Sequence, residues 1–507
     1  MDGMPAPKPT RFEANLVVVG AGTAGLVSAF VAATVKAKVT LVESGRMGGD
    51  CLNTGCVPSK ALIRSARLVK EIERAAAFGI RGASGAVDFG AVMARVQKAV
   101  GAIEPHDSAA RFRSLGVDVV HGRARLASPG SVAITLEGGA TRVLSTRSVL
   151  IATGARPTVP AIAGLDDVGA LTSETVWGLR ELPRRLVVLG GGPMGCELAQ
   201  AFARLGAAVT LVESAPRLLV REEPEAAAEV ARALAADGVS VRTETRALRC
   251  ERAGAVKRIV LRTSHSASGL GADRDGTGDG GAETAVEFDA LLLAVGRTPR
   301  VDDLGLEALG IGLTTEETIA IDDFLQTRHR HILAAGDVAG PYQFTHTAAE
   351  QARVATLNAL FGHIKRTRFE AGVVPWTTFC DPEVARVGLS EDEAHQRGVA
   401  VDVTRYDFSE LDRAVTDGAT GGFVKVLSAW GSDRIVGVTI VGANAGELLA
   451  EFVLAMKNGL GLRKILAAIH AYPTFSEANK NAAAEWQLAH LPQRLLRWAA
   501  RYHAWRR

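Results

Sequence analysis

Two cysteines separated by four residues sit in the decapeptide Cys51-Leu52-Asn53-Thr54-Gly55-Cys56-Val57-Pro58-Ser59-Lys60. Five cysteines in 507 residues make no structural disulfide framework, so a close pair in a reducing compartment points to redox chemistry or metal binding. On a regular helix, residues five apart have Cα atoms roughly 8–9 Å apart, beyond the roughly 7 Å that a disulfide can span. A bridge therefore requires a distorted turn, for which Gly55 and Pro58 provide the means. The alternatives are two inert buried cysteines or a metal clip. No second Cys/His cluster accompanies the pair, so no metal site is assigned. Cys196, Cys250 and Cys380 are read as structural.

The elements that must position this pair are legible as a repeat. Val39-Thr40-Leu41-Val42-Glu43-Ser44 recurs letter for letter at Val209 to Ser214, an offset of 170 residues. In the first copy a buried strand from Leu16 to Val19 leads into Gly20-Ala21-Gly22-Thr23-Ala24-Gly25, a helix from Leu26 to Val35 and a strand from Val39 to Glu43. In the second, Leu186 to Leu189 leads into Gly190-Gly191-Gly192-Pro193-Met194-Gly195, a helix from Cys196 to Leu205 and a strand from Val209 to Glu213. Glycine is needed where backbone approaches a pyrophosphate, and the helix N-terminus offers free N–H groups. An acid, Glu43 or Glu213, follows the first glycine by 23 residues, near the spacing for a ribose 2′-OH. The chain therefore carries two βαβ dinucleotide units.

Two further strands end alike, at Gly154 and Gly296, each followed by an arginine and a proline, and read as exits from the two nucleotide domains. Residues 264–282 are rich in Gly, Ser and Asp without apolar periodicity and read as a flexible insert. From about Val373 onward, alternating strands and helices read as a separate α+β domain. The length suggests about three or four domains. A hydrophobic fraction of 47% with 22% charged residues is that of a globular protein, and a net charge of +3 is too small to argue for nucleic acid. The expected partners are thus small molecules. Met1 to Asn15 has no apolar signal region and no stretch is long enough to span a bilayer, so a cytoplasmic protein is expected.

Gly48-Gly49-Asp50 followed by C-x4-C-V-P-S-K, two G-x-G-x-x-G units and Gly336-Asp337 together resemble the class I pyridine nucleotide-disulfide oxidoreductases: glutathione reductase, dihydrolipoamide dehydrogenase and mercuric reductase. The resemblance covers roughly residues 14 to 485. It implies an α/β fold with two Rossmann-like dinucleotide-binding domains and a C-terminal α+β dimerisation domain, and a homodimer that uses FAD with NAD(H) or NADP(H). The expected boundaries are 14–155 and 299–368 for the two parts of the FAD domain, 156–298 for the NAD(P)H domain, 369–485 for the dimerisation domain and 486–507 for a C-terminal helix.

By the same resemblance, Gly20, Gly22, Gly25 and Glu43 bind the ADP half of FAD, with Gly154 at the strand exit and Gly336 and Asp337 at the ribityl and phosphate region. Gly190, Gly192, Gly195 and Glu213, with Gly296, serve the nicotinamide nucleotide. Cys56 is the thiolate against the flavin, Cys51 the interchange thiol, and Lys60 and Glu197 the ion pair beside the flavin N5. Pro193 stands where many relatives carry a gating tyrosine. Disulfide-reducing relatives carry His-Pro-Thr…Glu near the C-terminus, supplied by the partner subunit to protonate a leaving thiolate.

This chain has His470-Ala471-Tyr472-Pro473-Thr474-Phe475-Ser476-Glu477, with Tyr472 in the place of that histidine and Glu477 placed to orient the residue there. His470 substitutes only if the loop shifts. A tyrosine here is similar to mercuric reductase, although Arg501 to Arg507 lacks that family's vicinal cysteines. The sequence thus predicts electron transfer from NAD(P)H through FAD and Cys51–Cys56 to a disulfide or soft-metal acceptor. The rival readings are a dihydrolipoamide dehydrogenase and a slow-turnover flavin and NAD(H) redox sensor. In the tail, Leu491, Leu495, Trp498, Tyr502 and Trp505 form one apolar stripe on a helix rich in arginine. The stripe is expected to dock on the protein's own surface; the sharper alternative is peripheral contact with anionic membrane or an acidic partner.

Overall fold

The computed structural model describes residues 12–264 and 282–507, so nearly all of the insert expected at 264–282 lies outside the described residues. Strand β1 (Ala14–Val19) is buried at five of six positions, as a parallel strand covered on both faces must be. It leads into helix α1 (Thr23–Thr34) and strand β2 (Val39–Glu43), which pairs with β1 in parallel. In the second copy, β3 (Arg185–Leu189) and β4 (Ala208–Val212) flank a helix and repeat the arrangement. Both sheets carry the same parallel order. The third strand, at 118–121 or 240–242, lies outside the second, and the fourth, at 146–151 or 290–293, lies on the other side of the first. Three antiparallel strands also occur in each copy, at 118–151, where they include the third and fourth strands, and at 245–288, where they precede the fourth strand as a separate sheet; the sequence pattern did not reveal them. Ile332–Ala334 returns to the first sheet beside residues 149–151.

The cysteines lie on the two helices after β2, α2 (Gly49–Asn53) and α3 (Cys56–Arg74). The helix of the second copy, α4 (Pro193–Arg204), like α1, starts three residues earlier than its apolar pattern suggests, because the second glycine is its N-cap and the third lies in its first turn. A Cβ on Gly25 would lie 1.8 Å from the Gly20 carbonyl oxygen, and one on Gly195 equally close to that of Gly190. Gly20 and Gly190 themselves adopt φ of 101° and 106°, with the Ala152 and Ala294 carbonyls pressed against them.

Residues 375–442 form a five-stranded antiparallel sheet, backed by helices Ala445–Lys457 and α6 (Glu477–Ala489; α5 is Thr345–Phe361) over a separate apolar core. The C-terminal segment departs from expectation. Trp486 is buried in α6, and the tail helix α7 (Gln493–Arg506) begins only after a break at Pro492, which lacks the N–H needed to continue a helix. None of the α7 residues is buried, so its stripe does not dock on its own subunit. The chain is turned away before it can fold back, because His490 stacks on Trp486 at 4.3 Å and its ring bonds Asp402 at 3.1 Å. Among the described residues no helix is long and apolar enough to cross a membrane.

The close approach at the third glycine of each loop leads to a measurable expectation. Gly195→Ala must push α4 off β3, and should cost about 1–3 kcal/mol in urea unfolding while weakening NADH binding in fluorescence titration. Unchanged stability and affinity would show that the loop tolerates a side chain.

Candidate active site

A cleft of about 1250 Å³ runs from Glu43 and Gly22, past Gly154, Gly336 and Asp337, to Cys51, Cys56, Lys60 and Glu197. At its base the chain breaks between α2 and α3. Thr54 ends α2 by bonding Asp50, and Gly55 takes φ −119° and ψ −105°, outside the helical region. The Trp177 indole donates to the Thr54 carbonyl at 2.9 Å, and the Asn53 amide donates to Met47 and Gly49. Pro58 sits in the first turn of α3, where a missing N–H costs nothing, so the distortion is the work of Thr54 and Gly55.

The break brings the two cysteines together, both as free thiols. Cys56 is lowered to about 6, chiefly by the hydrogen bond from Cys51 and further by Thr345 and the Lys60 charge. The Cys51 thiol is pushed well up, because it donates to Cys56 and is partly buried. Cys56 is also the first residue of an uncapped helix, whose positive end favours a thiolate. The Thr345 hydroxyl lies 3.3 Å from the Cys56 sulfur, a contact that sequence spacing did not suggest.

Lys60, one helical turn beyond Cys56, reaches Glu197 of the second copy at 2.8 Å. Glu197 is buried and accepts a second bond from the Phe379 N–H at 2.8 Å, and the Lys60 ammonium lies 4.5 Å from the centre of the Phe379 ring. Phe379 thus clamps the pair from the third domain. Nearby, Trp376 stacks on Phe344, which stacks on His346, and the Trp376 indole is fixed by the buried Glu222 at 2.6 Å. Burial pushes the Glu222 carboxyl up.

The nucleotide loops match atom for atom. Glu43 accepts from Ala21 N at 2.6 Å and Gly45 N at 2.7 Å, while Glu213 accepts from Gly191 N and Ala215 N at the same distances. Each carboxylate is thereby aimed across its glycine loop. Helices α1 and α4 have no side-chain cap at Gly22 and Gly192, leaving N–H groups free for an anion. Asp337, pushed up by burial, faces Arg297 at 3.4 Å, and Arg297 also pairs with Asp50 beside Cys51. Gly296 adopts φ 120° and turns the chain from the second nucleotide sheet into the strand that carries Arg297. The donor set, the uncapped helix and the length of the cleft fit a flavin dinucleotide, and the α4 loop fits a nicotinamide nucleotide. Pro193 opens α4 and lines the cleft.

The C-terminal loop is not brought to this cleft within one subunit. The Tyr472 hydroxyl, on a residue 70% exposed, donates to Asp412 at 2.9 Å, which raises its pKa. His470 is held by Glu451 at 3.0 Å, which Asn479 fixes in turn. Glu477 accepts from the Thr474 N–H at 3.3 Å rather than from Tyr472.

Two dinucleotide folds converging on a dithiol define a flavoprotein oxidoreductase. The chain belongs to the pyridine nucleotide-disulphide oxidoreductases, whose family model matches residues 14–352, and the dimerisation domain of that family matches 374–483. Members are FAD- and NAD(P)H-dependent enzymes, and the dimerisation domain supports assembly as a homodimer. The chain is 33% identical over 469 residues to a mercuric reductase of Lysinibacillus sphaericus, covering 92% of this chain and 82% of the relative. It is 32% identical to a mitochondrial dihydrolipoyl dehydrogenase of Dictyostelium discoideum, covering 92% and 93%. The Cu(II) complex of the HOCl-induced flavoprotein disulfide reductase RclA from Escherichia coli superposes with a TM-score of 0.79 at 26% identity, over 93% of this chain and 99% of that one.

The depressed Cys56 pKa sets a pH profile. Its thiolate is present above about 6 and lost below it, so iodoacetamide labelling of Cys56 in the reduced enzyme should fall as pH drops through that value. Thr345→Val removes one stabilising bond and should move the midpoint upward. A wild-type midpoint at about 8.5, that of a free cysteine, would sink the assignment.

Proposed function

We propose that this enzyme carries electrons from NADH through the Cys51–Cys56 pair to a thiophilic metal ion such as copper(II) or mercury(II). The observation that carries the reading is Tyr472 bonded to Asp412 where disulfide-reducing relatives have an imidazole. A phenol with a raised pKa is no general acid–base near neutral pH, so a leaving thiolate would go unprotonated. A metal ion held between two sulfurs needs no such proton. The mercuric reductase relatives and the copper complex of RclA support the same class of acceptor.

In this reading the α1 and α4 N-termini hold the two pyrophosphates, Glu43 and Glu213 accept the ribose hydroxyls, and Asp337 holds the ribityl and phosphate region. FAD held there would supply the hydride acceptor through which electrons reach the disulfide. Lys60, fixed by Glu197 and Phe379, would hold a positive charge against that group. Cys56 stays a thiolate, and Cys51 gives its proton to solvent when a metal ion binds both sulfurs. Closing the pair to a disulfide releases two electrons, taken by one mercury(II) or by two copper(II) ions. Up to residue 485 the domain limits are those expected from the sequence, Tyr472 and Glu477 face the other subunit's cleft, and His470 is structural. A reducing cytoplasm keeps the thiols open.

NADH is the favoured donor, because Glu213 repels a 2′-phosphate and Arg217, a nearby candidate to hold it, is spent on the carbonyls of Leu219, Val220 and Glu222.

Cys56→Ser should retain FAD yet lose NADH-dependent copper(II) and mercury(II) reduction; undiminished turnover would rule out the dithiol route. For NADH over NADPH, kcat/KM should differ by about tenfold or more, equivalent to roughly 1.4 kcal/mol, and a preference for NADPH would overturn the role of Glu213. Tyr472→His should raise lipoamide or glutathione-disulfide reduction by about 100-fold, the low end of general acid–base catalysis. No gain would mean that the pocket, rather than proton transfer, excludes disulfides.

A further inference from the structure

Helix α7 has no role in the reductase reading and its contact face is open. Leu495, Trp498, Tyr502 and Trp505 recur at steps of three and four, and Arg494, Arg497 and Arg501 repeat the same steps one residue earlier, so an arginine stripe runs beside the apolar one. Trp498 is 65% and Trp505 81% exposed. After Glu485 the chain has no carboxylate side chain, whereas α7 and the residue after it carry five arginines.

A second observation lies on the body of the protein. Trp430, in the turn after strand Phe423–Ala429, is 72% exposed. The Asp402 carboxylate accepts from Gly431 N at 2.8 Å and bonds the His490 ring at 3.1 Å, so the Trp430 turn and the root of α7 are fixed to one side chain. Three of the six tryptophans of the chain thus stand exposed, one at the root of a basic helix and two along it.

We propose that this edge is a peripheral docking face for an anionic lipid bilayer. Charge complementarity selects the occupant: the helix presents arginine with no carboxylate side chain of its own. Two copies laying α7 against α7 would bring two sets of arginines together unneutralised, whereas acidic headgroups neutralise both the stripe and the terminal Arg506 and Arg507. Tryptophan and tyrosine beside arginine suit the headgroup boundary, where ring bodies enter the acyl region and polar edges stay wet. The helix, about 21 Å long at 1.5 Å per residue, lies in the plane of the surface. The proposal is independent of the identity of the electron acceptor.

The test uses full-length holoenzyme and vesicles of phosphatidylcholine with or without about one-third phosphatidylglycerol. Cosedimentation with the anionic vesicles at low salt is expected, with a blue shift of tryptophan emission, release at about 0.5 M salt, and no binding to phosphatidylcholine alone. Trp498→Ala with Trp505→Ala, and separately Arg494→Gln, Arg497→Gln and Arg501→Gln together, should each lower partitioning by at least about tenfold. NADH-dependent turnover in solution and the melting temperature should stay unchanged. Failure of the full-length protein to bind at low salt overturns the proposal. So does a truncation of residues 493–507 that lowers Tm or dissociates the homodimer, which would place the stripe within the dimer instead.

Discussion

Cys51 and Cys56 meet because the chain breaks its helix at Thr54 and Gly55, and much of the active site is arranged around that break. A continuous helix would point the sulfurs to different sides and leave two ordinary thiols. With the break held by Trp177 and Asn53, one sulfur keeps the proton and the other keeps the charge. The restart of α3 at Cys56 then sets the direction of Lys60 a turn later, and Lys60 meets Glu197 from the second nucleotide unit. Phe379 closes the same contact from the third domain. A single ion pair therefore registers three parts of the chain.

The two glycine loops solve one problem twice. Backbone must come close to a phosphate, the helix must come close to its strand, and a carboxylate must be held across the loop. Gly25 and Gly195 satisfy the second requirement, and Glu43 and Glu213 the third, with nearly superimposable hydrogen bonds. Beyond the loops the two copies diverge. The first copy leads to the dithiol, whereas the second leads to Glu197 on α4.

The third domain joins the second copy through buried charge. Lys425 meets Glu223, Glu225 and Glu391, and Arg386 bonds Glu393 and the carbonyl of Arg221. Such a network adds little net stability, because desolvating the charges offsets their attraction. It does fix a geometry, and Glu222 in the same segment holds the Trp376 indole against the aromatic stack at the cleft.

The residue types and spacings in this chain were enough to read the paired βαβ units and the family and to single out the cysteine pair, because two glycine loops, each with its distant acid, together with C-x4-C-V-P-S-K form a highly specific combination. They were silent on the antiparallel ribbons, whose short alternating strands look like many surface strands. They also did not reveal Thr345, which reaches Cys56 from 289 residues away, Trp177, which bonds Thr54 across 123, or Phe379, which holds the Lys60–Glu197 pair. The tail departs from its expected docking for a related reason: its apolar stripe was visible, but whether a stripe finds a surface depends on where the chain exits. His490 and Pro492 decide that exit, through Asp402 on a distant strand. Local pattern therefore determined which groups the protein possesses. Long-range packing decided which of them meet, since a proton shared between two sulfurs or a carboxylate aimed at a lysine depends on contacts that sequence separation does not encode.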